Sequence, residues 1–363
     1  MSLVPPYIVS LQPYKPGKSI DEVKREFGLK DVLKLASNEN PLGPSPLAIE
    51  ELRRTIAEVQ YYPNGGYDLR KALAERYNCK MDNVIVGNGS DGIMSYIVRT
   101  FLCDDDEVLT TEAAFIGFQV LARSRGVAYR TVPYKNWQYD LPALARQIND
   151  KTKIIYLANP NNPTGTTFTR EEFEVFYKKV PQRVLIILDE AYFEYTCNDA
   201  QYPDSLTYRY DNVITLRTFS KIHGLAGLRV GYGFAHDELI GHLLKVKLPF
   251  DPSTPAQSAG IGALKDDEWI MRSREVNDKG LLFTAPALRS LGLDVIPSKA
   301  NFHMVVMRDE NEVNTVYMEL LKRGVIIRPL KAFGLPNCIR ITIGTQEQNE
   351  KMVEKMKEVV ALL

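Results

Sequence analysis

Val84-Ile85-Val86, then Gly87-Asn88-Gly89-Ser90-Asp91-Gly92, then residues 93–101 read as strand, tight turn and helix in immediate succession. The β-branched run suits a buried strand, and the glycines punctuate it. The same alternation recurs downstream, with apolar runs at 107–111, 154–158, 184–188 and 213–216 separated by helical or loop segments. Short buried strands alternating with helices predict an α/β fold, a mostly parallel sheet covered on both faces.

Upstream of this unit, residues 1–17 are rich in proline and tyrosine and predict an extended arm without regular helix. Ser19 with Glu22 forms a capping box, and Gly28 is a natural stop. Residues 33–46 are loop chemistry, Ser45 caps a helix that carries Pro46 first and runs to about Val59, and a turn at 61–66 leads to a second helix at 69–77. Beyond Val246 the texture changes. A long helix is expected from about Pro255 to Leu291, then strands at 302–306 and 338–343 with a helix between them. A last helix carries Met352, Val353, Met356, Val359, Val360 and Leu363 on one stripe. The expected division is an arm and helix at 1–30, a large domain at 31–246 and a smaller α+β domain at 247–363.

A chain of 363 residues should bury about 75% of its unfolded surface, in two packed units. Its 45% hydrophobic and 25% charged residues exclude disorder and fibrous repeats. Lys+Arg and Asp+Glu balance at 45 each, which argues against nucleic acid as a partner. No apolar run is long enough to cross a bilayer and residues 1–6 lack a signal-peptide core, so a cytoplasmic protein is expected. Cys79, Cys103, Cys197 and Cys338 form no C-x-x-C pair, and His223, His236, His242 and His303 show no ligand spacing, so neither disulfide nor metal is expected.

Ligands of open α/β sheets bind beyond the carboxyl ends of the strands. Four strands here end in polar sequences: 87–92; Asn159-Pro160-Asn161-Asn162-Pro163-Thr164-Gly165; Asp189-Glu190-Ala191-Tyr192; and Ser220-Lys221. Lys221 is flanked by a hydroxyl, a histidine, glycines and apolar residues, a setting that suits a desolvated amine able to form a Schiff base; the competing reading is a solvated turn lysine. Asp189 closes a strongly apolar strand, where a carboxylate calls for a cationic partner or serves as a helix cap. A pyridoxal phosphate enzyme needs this inventory: a lysine, an acid for the pyridine nitrogen, donors to the ring hydroxyl and a phosphate cup. Residues 87–92 also spell G-x-G-x-x-G, the mark of a nicotinamide-dependent oxidoreductase, but some eighty residues precede them, and a helix N-terminus holds a single phosphate equally well.

Together these motifs resemble the fold-type I aminotransferases, and more narrowly the histidinol-phosphate aminotransferase family. The resemblance runs from Pro13-Tyr14-Lys15-Pro16-Gly17-Lys18 and Asn38-Glu39-Asn40-Pro41-Leu42-Gly43-Pro44-Ser45-Pro46, through Tyr62-Pro63, 87–91, 161–165, 189–192 and the Lys221 segment, to Arg340-Ile341-Thr342-Ile343-Gly344-Thr345. It implies pyridoxal 5'-phosphate bonded to Lys221, which then moves protons between substrate and cofactor. Asp189 pairs with the pyridine nitrogen, Asn162 and Tyr192 with the ring oxygen, and Phe115 stacks on the ring. Ser90, Asp91, Ser220 and Arg229 surround the phosphate, with Tyr62 reaching it from the partner of a homodimer. Arg340 holds the substrate carboxylate, Arg328 the substrate phosphate, and Asn38 lies on the substrate side. Arg340 alternates with Ile339 and Ile341, which predicts that it points away from the buried face. Gly92 and Ala113-Ala114 depart from the family pattern.

The activity so implied is amino transfer between histidinol phosphate and 2-oxoglutarate in histidine biosynthesis. Alternatives on the same scaffold are an aromatic amino-acid aminotransferase and a threonine-phosphate decarboxylase; a non-catalytic binding protein is a further one.

Overall fold

The computed structural model describes residues 3–13, 17–208 and 210–363, so Tyr14, Lys15 and Pro16 of the first family motif lie outside the described residues. In chain order the strands are β1 (Leu33–Lys34), β2 (Val84–Gly87), β3 (Glu107–Thr111), β4 (Ala128–Val132), β5 (Thr152–Ala158), β6 (Leu185–Asp189), β7 (Val213–Thr218) and β8 (Gly231–Phe234). They continue with β9 (Asp294–Val295), β10 (Phe302–Val306), β11 (Val325–Ile326), β12 (Arg328–Pro329) and β13 (Cys338–Thr342).

The main sheet has seven strands in the order β2-β8-β7-β6-β5-β3-β4. Only β8 runs against the others, pairing antiparallel with both β2 and β7. Neither β4 nor β8 is evident in the sequence. β4 is an edge strand with one buried residue, and β8 reads Gly231-Tyr232-Gly233-Phe234. Glycine is required there: a Cβ on Gly231 would lie 2.4 Å from the Ser90 amide nitrogen, and one on Gly233 2.8 Å from the Thr215 carbonyl oxygen.

Helices cover both faces, as the buried strands require. On one, Ile93, Ile97, Phe118 and Leu243 pack on Ile85, Ile154, Ile187 and Ile214. On the other, Leu144, Phe173 and Phe176 cover Ile155, Leu157 and Ile186. The smaller sheet, β12-β13-β10-β9, is antiparallel and packs on the helices Glu310–Lys322 and Gln346–Val360 through Val305, Ile339, Val316 and Met356.

Three expectations are corrected. The arm contains a short helix, Pro6–Val9, because proline at its first position gives up no helical hydrogen bond. The long helix expected after Pro255 is two, Thr254–Leu264 and Asp267–Ser290, separated where Asp266 caps the second through the Trp269 amide. The first of these packs Ala256, Ala259 and Ala263 against Ala48, Leu69 and Phe219, so residues 254–264 share the large unit's core. Their small side chains permit this approach; a Cβ on Gly262 would meet the Leu47 carbonyl at 2.4 Å. Conversely, Leu33 and Leu35 sit in the core of the small sheet, where β1 pairs with β11.

Candidate active site

A cavity opens at the carboxyl ends of β5, β6 and β7 and at the loop after β2. Its walls include Ser90, Asp91, Phe115, Asn162, Asp189, Tyr192, Ser220, Lys221 and Arg229, all singled out from sequence, together with Thr218 and Pro160. An adjoining cavity shares Phe115, Asn162 and Lys221 and adds Asn38, Arg328, Arg340 and Phe333. Tyr62 lines neither. It is 79% exposed and stacks on Phe250 at 4.3 Å on the outer surface.

Lys221 follows β7 on a turn, partly buried, and its Nζ donates to the Ser37 carbonyl at 3.2 Å. Burial, reinforced by the Arg340 guanidinium, pushes its amine down to about 8. Among the described residues it forms no ion pair. Asp189 ends β6 and is buried; Oδ2 accepts from the Tyr156 hydroxyl at 2.6 Å and Oδ1 from the Ala191 amide at 3.2 Å. Burial raises this carboxyl to about 6, against the lowering effect of the Tyr156 bond. No cation pairs with it among the described residues. Nor does Asp189 cap the helix Phe193–Thr196, whose N-cap is Tyr192 and makes no side-chain bond.

At the opposite end lies the start of the helix Gly89–Phe101, with Ser90 and Asp91 in its first turn. Arg229 closes over it, Nη2 pairing with Asp91 at 3.3 Å and Nη1 donating to Ser220 Oγ at 3.3 Å. A Cβ on Gly89 would stand 2.5 Å from Arg229 Nη2, so glycine gives the guanidinium its seat. A helix N-terminus with its dipole and an arginine are the physical makings of an anion cup. Phe115 forms a side wall. Ala113, one of the departing residues, adopts φ 48, a left-handed conformation uncommon for alanine.

The substrate side is more enclosed than the sequence pattern implies. Arg340 is only 6% exposed, not on an open face. Its strand is covered on both sides, with Ile339 and Ile341 in the core and the guanidinium 5.3 Å from the Phe302 ring and 5.8 Å from that of Phe333. Arg340 donates to Asn162 Oδ1 and to the Ala36 carbonyl, and its Cα partner across the ladder is Arg328. Asn38, fully buried, donates to the Tyr192 hydroxyl at 2.8 Å and receives the Thr342 hydroxyl at 3.2 Å. Besides lining the adjoining cavity, it holds the Tyr192 hydroxyl. Tyr156 was not singled out from sequence; its signal is a hydroxyl in the otherwise aliphatic end of β5, on the same strand face as Ala158.

The model of the aminotransferase class I and II family matches residues 30–356. The chain belongs to that family. Among its relatives, the histidinol-phosphate aminotransferase of Moorella thermoacetica is 44% identical over 98% of this chain and 92% of that protein. The histidinol-phosphate aminotransferase of Anaeromyxobacter sp. is 43% identical over 99% of this chain and all of that one. Among solved structures, histidinol-phosphate aminotransferase from Sinorhizobium meliloti in complex with pyridoxal-5'-phosphate superposes with a TM-score of 0.91 at 28% identity, covering 100% of this aminotransferase and 98% of that chain. An aspartate aminotransferase of Thermus thermophilus, 22% identical, shares the fold with a TM-score of 0.85.

The dinucleotide reading of 87–92 fails on topology as well, because β2 lies at the end of the sheet order, whereas a dinucleotide fold places its fingerprint strand at the central crossover. Among the described residues, no helix of this aminotransferase is long and apolar enough to cross a membrane, and no group of three or more His, Cys, Asp and Glu could hold a metal ion.

Proposed function

We propose that this aminotransferase binds pyridoxal 5'-phosphate and exchanges an amino group between histidinol phosphate and 2-oxoglutarate, in histidine biosynthesis. The observation that carries the reading is a buried acid and a desolvated lysine, neither ion-paired, facing one cavity whose far end is an anion cup. The donor set fits the cofactor: Asp189 for the ring nitrogen, Tyr192 and Asn162 for the ring oxygen, and the amides and side chains of Ser90 and Asp91 with Ser220 and Arg229 for the phosphate. Bound there, pyridoxal phosphate supplies an aldehyde that captures amines and a ring that accepts the electron pair left when the α-proton departs.

The chain's own groups do the rest. Lys221, whose amine burial lowers to about 8, is partly neutral at cellular pH and would be the group that accepts the substrate α-proton on Nζ and gives it back. Asp189 holds a fixed negative charge in a dry setting, where it acts more strongly than in water. Arg340 offers a planar fork to the substrate carboxylate, its orientation set by Asn162 and the Ala36 carbonyl. Arg328, beside it, is the candidate for the distal phosphate of the amino donor. Phe115 and Phe333 exclude water from the space between.

Tyr61, Tyr62, Leu248 and Phe250 are exposed, with Tyr62 stacked on Phe250, and would suit the interface of a homodimer in which Tyr62 reaches the partner's cup. A cytoplasmic location accords with a biosynthetic role.

Purified enzyme is to be assayed side by side with histidinol phosphate, phenylalanine and threonine phosphate, with 2-oxoglutarate as amino acceptor. The proposal requires glutamate formation fastest from histidinol phosphate; preference for phenylalanine, or carbon dioxide release from threonine phosphate, would replace it.

A further inference from the structure

Asp189 faces the cavity from the end of β6, and the bond that fixes it comes from the neighbouring strand. Tyr156 lies on β5, whose Ala158 is the Cα partner of Asp189, while Tyr156 itself pairs with Ile187. Residues two apart share a strand face, so the phenol and the carboxylate stand on one side of the sheet, a single pleat apart. The Tyr156 hydroxyl donates to Oδ2 at 2.6 Å. Its ring is fully buried and stacks on Phe118, also fully buried, with centroids 4.4 Å apart and planes 14° off parallel. The donor is therefore rigid, and the Ala191 amide holds the other oxygen.

We propose that Tyr156 is a positioning residue for the cofactor: by donating to Asp189 Oδ2 from a locked ring, it keeps the carboxylate ionised and aimed as the counter-charge to the pyridine nitrogen. This rests on the reading of the cavity as a pyridoxal phosphate site. Without the hydroxyl, a carboxylate in this environment has one amide donor and no cation. The surrounding groups do not replace it. Asp91 disfavours the charge, Lys221 favours it only from a distance, and Tyr139 and Tyr192 make no hydrogen bond to it. Burial and the Asp189 charge hold the Tyr156 phenol well above its ordinary range, so it remains a donor throughout the working pH.

The consequence is electronic. A protonated pyridine ring draws electrons from the reacting carbon, and its proton stays only where a strong acceptor remains charged. Hydrogen bonds to charged groups are stronger than neutral ones, so losing this one should weaken cofactor binding by roughly tenfold.

The test uses the whole enzyme, stripped of cofactor and reloaded with pyridoxal phosphate labelled with 15N in its ring. In wild type the ring nitrogen should resonate as protonated pyridine; in Tyr156→Phe it should move toward the neutral form, and the Kd for the cofactor should rise about tenfold. Phe118→Leu, which loosens the stack but keeps the hydroxyl, serves as the packing control and should leave the resonance nearer the wild-type position. An unchanged resonance and Kd in Tyr156→Phe would overturn the proposal, as would an equal shift in Phe118→Leu. If wild type itself takes up no cofactor, the failure belongs to the functional reading and not to Tyr156.

Discussion

Glu190 lies one residue after Asp189, and Arg217 four residues before Lys221 on the same chain segment. Yet the first pair is closed and the second is open. Glu190 Oε2 accepts from Arg217 Nε at 2.9 Å and Nη2 at 2.8 Å, Asp204 adds a second carboxylate at 2.9 Å, and the guanidinium lies 3.3 Å from the centre of the Phe193 ring. Asp189, buried, and Lys221, partly buried, have only a phenol, an amide and a carbonyl between them. Successive residues at a strand end turn to opposite sides, so one fold can bury an ion pair behind the sheet and leave in front an acid and a base that, among the described residues, are hydrogen-bonded but not ion-paired. The first pair is structure; the second is the pair that the proposed function assigns to a cofactor.

Several substitutions probe that contrast. Lys221→Ala should lower turnover by at least about 10⁴-fold in the steady-state assay while leaving the unfolding midpoint nearly unchanged, because the removed amine supports chemistry and not the core. Residual turnover near wild type would break the distinction from the active side. Arg217→Met should do the reverse. It strands Glu190 in the interior and should destabilise the fold by about 3–5 kcal/mol in urea unfolding, with part of the loss recovered in the double variant Arg217→Met, Glu190→Gln.

The pH dependence gives a smaller, graded effect. An amine lowered from 10.5 to about 8 is neutral above pH 8 in the folded enzyme and protonated below. Uptake of pyridoxal phosphate by apoenzyme, followed at a fixed cofactor concentration, should therefore accelerate up to about pH 8 and level off beyond it. Acceleration continuing toward pH 10 would mean that Lys221 is solvated. Smallest of all, Ala113→Gly removes the left-handed strain beside Phe115 and should change stability by less than about 1 kcal/mol, with cofactor affinity unaltered.

Much of this site is legible in sequence because strand ends are local. The apolar run 184–188 announces where Asp189 emerges, and the glycines of 87–92 announce a helix start. What the sequence conceals is set by neighbours far along the chain. β8 is masked by the glycines that let it pass Ser90 and Thr215. Arg340 reads as exposed from its alternation, but Phe302 and Phe333 cover it from other elements. Tyr156 is indistinguishable from core tyrosine until β5 and β6 are set in register. The helix Thr254–Leu264 is read into the wrong unit because small residues that permit close packing carry no sign of which partner they approach.

On the proposed function, Lys221 is the residue to which the cofactor attaches. Treating holoenzyme with borohydride, which fixes a carbon–nitrogen double bond as a stable amine, and mapping the labelled peptide by mass spectrometry tests it directly. The cofactor's mass should appear on Lys221 alone; a label on another lysine, or none in enzyme that turns over, would overturn the assignment.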